Sequence, residues 1–97
     1  MATSEAHVAT ASARRYLGQL CKHFQHRLPV TLGETTGGIA FPMGRCDVAA
    51  EDGTLVLRAS AATAEELAKL EDVVARHLVR FAFREELAID WARAPAA

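Results

Sequence analysis

The chain has 97 residues, 51% of them hydrophobic, with Lys+Arg 11 against Asp+Glu 12 and a formal net charge of -1. That length allows one domain over residues 1–97, burying roughly 65% of its unfolded surface, and the near balance of charge gives no field for polyanions or membrane surfaces, so nucleic-acid and membrane partners are not expected. Nothing approaches the ~20 apolar residues of a membrane span, and Met1 to Ala6 lacks both a basic n-region and an apolar run after it, which predicts a cytoplasmic protein whose two cysteines stay as thiols.

Ala6-His7-Val8-Ala9 reads as a short first strand, after which Thr10 or Ser12 offers a cap for a helix beginning at Ala11 to Ala13 and running to about Gln25. Ala13, Tyr16, Leu17, Leu20 and Phe24 fall in one stripe of that helix at 100° per residue, which makes it amphipathic and lays it on a sheet. Pro29 breaks the chain, Leu28, Val30 and Leu32 alternate as a strand, and Gly33 to Gly38 reads as a turn. Ile39 and Phe41 share a face of a further strand that kinks or splits at Pro42 and Gly44, with Pro42 favouring an edge or bulge. Cys46, Val48 and Ala50 continue the alternation, Glu51-Asp52-Gly53 turns, and Leu55, Leu57 and Ala59 return, so residues 45–60 form a β-hairpin.

Thr63-Ala64-Glu65-Glu66 matches a capping box and starts a second helix. Its stripe is Leu67, Leu70, Val73, Val74, His77, Leu78 and Phe81, with Lys69, Asp72, Arg76 and Arg80 toward water. Leu87, Ile89 and Trp91 alternate as a closing strand, and Ala94-Pro95-Ala96-Ala97 is a frayed tail. The order β-α-β-β-β-α-β, with two singly striped helices on a mainly antiparallel sheet, predicts a two-layer α+β sandwich.

The reactive residues are concentrated in Cys21-Lys22-His23-Phe24-Gln25-His26, with Cys46 and His77 elsewhere. Cys21 and His23 lie roughly 160° apart on a regular helix and cannot share a metal, whereas His23 and His26 form an i,i+3 half-site if the last turn stays helical. A further donor would come from Cys46 or His77, or from the harder carboxylates Glu34 and Asp47. The ordinary role of Cys21 and Cys46 is that of small buried hydrophobes. His77 stands inside an apolar stripe, so its imidazole needs either a carbonyl or carboxylate partner or a metal.

Covalent haem is excluded by the lack of a Cys-x-x-Cys-His signal, and Gly37-Gly38 is too short and wrongly placed for a phosphate loop. No set of nucleophile, base and oxyanion donors can be assembled, which leaves an independent enzyme the least favoured class. Arg80-Phe81-Ala82-Phe83-Arg84-Glu85-Glu86 closes the second helix; Arg84 with Glu85 or Glu86 would make solvated pairs, and an exposed Phe83 would anchor a partner.

The segments Tyr16 to His26, Pro42-Met43-Gly44-Arg45-Cys46 and Leu70 to Glu86 together resemble a family of small bacterial proteins known only as domain of unknown function 2218. The resemblance covers nearly the whole chain, and the family's Cys-x-His-x-x-His segment matches here as Cys21, His23 and His26, its hairpin cysteine as Cys46. Members look like free-standing domains or are joined to siderophore-interacting flavin reductases. The resemblance implies a link to iron handling, with no catalytic residue to carry over.

Two expectations follow. One is a small metal- or iron-complex-binding accessory domain that uses some combination of His23, His26, His77, Cys21 and Cys46, with a transition metal as cofactor and a siderophore-interacting reductase as partner. The other is an interaction module that forms a homo-oligomer through a sheet edge or the Phe81 to Arg84 corner.

Overall fold

The computed structural model describes residues 1–94, so the end of the tail, from Pro95 on, lies outside the described residues. The elements are β1 (Ala2–Ala9), α1 (Ala13–Phe24), β2 (Val30–Leu32), β3 (Thr36–Phe41), β4 (Gly44–Glu51), β5 (Thr54–Ala61), α2 (Ala64–Phe81) and β6 (Ala92–Arg93). They form one antiparallel sheet of order β2-β3-β4-β5-β1-β6, with α1 and α2 against each other on one of its faces. This is the expected α+β sandwich. Among the described residues no helix is long and apolar enough to cross a membrane.

Alternation decides which side of each strand meets the helices. Ala6 and Val8 of β1, Ile39 and Phe41 of β3, Cys46 and Val48 of β4, and Leu55, Leu57, Ala59 and Ala61 of β5 turn inward and join Leu17, Leu20, Leu67, Leu70, Val74 and Leu78 in a single core. The other face carries ion pairs: Arg58 with Glu5, and Arg45 with Asp47. The Thr63 hydroxyl accepts from the Glu66 amide as the capping box requires, whereas Ser12 caps α1 without a side-chain bond.

Several boundaries differ from the sequence reading, each for a tertiary reason. β1 begins at Ala2, because the whole segment is paired with β5 from Ala2↔Ala61 to Ala9↔Thr54; this unbroken ladder overrides the weak strand preference of Ala, Ser and Glu. The kinked third strand is a hairpin, with Phe41 facing Gly44 across Pro42-Met43. β3 starts at Thr36, so Gly37 and Gly38 lie in a strand and not in a turn. A Cβ on Gly37 would stand 2.7 Å from Cys21 Sγ and 3.1 Å from Leu17 Cδ1, so glycine is what lets α1 sit directly on β3.

The C-terminal segment also behaves differently. Leu87, Ile89 and Trp91 do pack on the core, but ladder pairing to β1 is confined to Ser4↔Arg93 and Glu5↔Ala92. Two carboxylates hold this strap. Glu71, buried on α2, receives Arg93 in a forked pair at 3.0 and 3.4 Å. Glu85 accepts from the Tyr16 hydroxyl and, at 3.0 Å, from Thr10 Oγ1, instead of forming a solvated pair with Arg84. Both hydroxyl residues are buried, and the Glu85 bond pushes the Tyr16 phenol above its ordinary range.

Gly37→Ala should lower stability in urea unfolding by about 1–3 kcal/mol, because overpacking against Cys21 and Leu17 outweighs the ~0.5–1 kcal/mol gained by removing a strand glycine. Adding Cys21→Ala should restore most of the loss. Tyr16 is the single tyrosine, so its ionisation is read directly at 295 nm. Since the folded state holds the proton more tightly, the contribution is complete below about pH 10 and disappears as pH rises through the folded value. The alkaline midpoint should lie above 10 in the native chain and fall toward 10 in Glu85→Gln; an unchanged midpoint would contradict the Glu85 latch.

Candidate functional site

α1 ends at Phe24 because Gln25 to Arg27 turn away, with the Arg27 and Leu28 amides both bonding back to the Phe24 carbonyl. The packing of the two helices brings this end of α1 against the C-terminal part of α2. His23 and His77 meet there with ring centroids 4.9 Å apart and planes tilted by 47°. Phe24 stands 4.9 Å from both imidazoles and 5.0 Å from Phe41 of β3, and Phe81 is 5.5 Å from His23. The result is an imidazole pair against two phenyl rings, Phe24 and Phe81, with Phe41 behind Phe24, His23 exposed and His77 half-buried.

His77 Nδ1 is 2.7 Å from the Val73 carbonyl, one helical turn back. A carbonyl can only accept, so Nδ1 carries the proton and donates while Nε2 stays free as an acceptor or metal ligand. His23 sits below its ordinary range, first through loss of water around the ring and then through the charges of His77, Arg80, Arg27 and His26. Its neutral form, the one that ligates metals, is thereby favoured. A nitrogen about 2.0–2.1 Å from a zinc-like ion puts each imidazole centroid roughly 3.2 Å away, so two ligands at a tetrahedral angle have centroids about 5 Å apart. The observed 4.9 Å is close to that figure, and it is also the ordinary ring contact that Phe24 makes with each imidazole.

The other expected donors lie elsewhere. His26 falls beyond the last turn of α1, so the i,i+3 pair with His23 does not form on a regular helix; it lies in the turn, exposed, close enough to add to the charge around His23. Cys21 and Cys46 are both fully buried between α1 and the sheet. Burial raises the Cys21 thiol and, with Asp47 beside it, pushes Cys46 up to about 12. Glu34 is paired with Arg14 at 3.6 Å and Asp47 with Arg45. Among the described residues, no three His, Cys, Asp or Glu side chains are grouped so as to hold a metal ion.

Sequence reasoning placed His23 on one flank of its helix stripe and His77 within the other stripe, but not their meeting. The signal was present only in part: two helices on one sheet face must touch, and a histidine on the flank of one stripe and another within the second are a candidate pair. Arg27 and Arg80 belong to the same surface; the sequence pattern sets Arg80 toward water and does not single out Arg27. Just beyond α2, Phe83 is 77% exposed with the Arg84 guanidinium 5.4 Å from its ring centre.

Depression of His23 has a definite sign. The unfolded chain takes up its proton first as pH falls, so the contribution is present above about 6.5 and is lost through the lower folded value. Proton NMR of the imidazoles should give His23 a midpoint below 6.5, moving up toward that value in His77→Ala, which opens the ring to water and removes the neighbouring charge. A His23 midpoint unaffected by His77→Ala would mean the rings do not share a site.

No curated protein matches this chain. Among solved structures, the NMR structure of PA4090 from Pseudomonas aeruginosa is similar, with 37% identity and a TM-score of 0.81 over 95% of this chain and 96% of that one. The profile of a family described as an uncharacterized protein conserved in bacteria, DUF2218, matches residues 5–92. With nearly the whole sandwich inside that match, including α1, β2 to β5 and α2, the chain belongs to the DUF2218 family.

Proposed function

We propose that this chain is an accessory module of iron handling that binds a transition metal, or a small iron complex, through His23 and His77. The observation that carries the reading is the spacing of the two imidazoles, together with the Val73 carbonyl that leaves His77 Nε2 free. Two protein donors are half of a tetrahedral set, so the remaining positions belong to whatever accompanies the metal. Arg27 and Arg80 beside His23 favour an anionic chelate over a bare cation. His26 stands at the rim, while Cys21 and Cys46 would take part only after the core opened. A siderophore-interacting reductase is the partner that the family resemblance suggests for such a module.

Elemental analysis of untagged protein, followed by titration with zinc, copper and ferric citrate, tests this. About one metal per chain is expected, with thermal stabilisation approaching ~2.7 kcal/mol at a hundredfold excess over Kd. His23→Ala or His77→Ala should abolish the uptake, and His26→Ala should weaken it less. No uptake of any of the three, with an unchanged Tm, would remove the reading.

A second reading rests on a different surface: Phe83 is 77% exposed and Val79, one turn earlier, 53%. Such a patch suits a homo-oligomeric interaction module without chemistry of its own. Sedimentation should then show a dimer that weakens on Phe83→Ala, and a monomer at all concentrations would eliminate self-association.

A further inference from the structure

Glycine inside a strand costs roughly 0.5–1 kcal/mol, and β3 has two in succession. Gly37 is accounted for by α1. Gly38 points the opposite way, onto the sheet face that the helices leave uncovered, and the place of its side chain is taken by the Arg45 guanidinium. A Cβ on residue 38 would overlap Arg45 Nη2 and stand 2.9 Å from Asp47 Oδ1.

Stability does not explain this arrangement. Arg45 Nε donates to Asp47 Oδ1 at 2.9 Å, but the side chains are 49% and 51% exposed, and an ion pair in that setting contributes about 0–1 kcal/mol. That is no more than the glycine costs. What the arrangement achieves is an arginine laid flat on bare backbone, its Nε committed to Asp47 and its terminal nitrogens left as a fixed fork.

Beside the fork runs a trough of about 440 Å³, within the size range of small-molecule sites. Thr31 of β2 and Thr36 of β3 line one side, Ala49 and Val56 make an apolar floor, and Arg58 stands on the β5 wall. The pairing Thr31↔Gly38↔Asp47↔Arg58 places all of these on the same uncovered face. Arg58 is held by Glu5 and Arg45 Nε by Asp47, so these charges balance, and the donors left free to meet a ligand are the terminal nitrogens of Arg45.

We propose that this trough binds a small molecule through an oxyanion head, a carboxylate or a phosphate monoester, gripped by the terminal nitrogens of Arg45, with the rest of the molecule over Ala49 and Val56. Asp47 is a positioning residue, holding the fork through Nε, and Gly38 gives it room. The site is independent of the imidazole pair, which lies on the helix side of the molecule.

The test is a titration of the 15N-labelled full chain with inorganic phosphate and, separately, with acetate, following Arg Nε and backbone signals. A saturating response centred on Arg45 Nε, Gly38 and Thr36 is expected with one of the two probes, and which one identifies the head group. Arg45→Lys keeps the charge but loses the fork and should bind about tenfold more weakly, whereas His23→Ala should bind as the native chain does. Gly38→Ala should give the same loss by evicting the guanidinium; if it does not fold, Arg45→Lys decides alone. Linear responses of similar size at Arg45, Arg14 and Arg84, or undiminished binding in Arg45→Lys, would overturn the proposal.

Discussion

α1 lies as low on the sheet as it does because β3 offers no side chain at residue 37. Leu17 and Cys21 occupy that space, and the height of the helix follows from them. The height in turn sets where the last turn of α1 stands relative to α2. His23 reaches His77, and Phe24 reaches Phe41, only because the helix axis is pulled down onto β3. Interiors are packed at crystal-like density, so a methyl group inserted at this point would be transmitted along a stiff helix to the imidazole pair. The glycine and the histidines are thus coupled mechanically without touching.

A second constraint acts at the other side of the sheet. β1 would be an edge strand if the strap after α2 did not cover it, and a long uncovered edge invites pairing with other chains. The strap covers it with few ladder bonds, relying on Leu87, Ile89 and Trp91 for apolar contact and on Glu71 and Glu85 for fixed points. Each carboxylate is satisfied by groups distant in sequence: Glu71 by Arg93, and Glu85 by Thr10 and Tyr16.

Much of this architecture was legible in the sequence because period and punctuation agree there. Leu55-Leu57-Ala59 alternates, Asp52-Gly53 turns, and Gly53 adopts φ 67 as the hairpin needs; Thr63 and Glu66 announce α2. The reading failed where two rules conflict. Gly37-Gly38 is a turn signal locally and a packing feature globally, and tertiary packing won. Leu87 to Trp91 has strand alternation without a ladder, since period reports which side is buried and says nothing about hydrogen bonding. The imidazole pair and the Tyr16–Glu85 bond span 54 and 69 residues of sequence; they depend on how helices and strap are arranged on the sheet, which no local pattern encodes.

The two thiols have one more consequence. Both are enclosed under α1, and protonation dominates at any physiological pH because thiolate is disfavoured in each. Alkylating reagents and peroxides therefore meet an unreactive sulfur as long as α1 stays seated. The cysteines act as an internal clock: their rate of modification measures how often the helix lifts from the sheet, and it does so without any label being introduced into the protein.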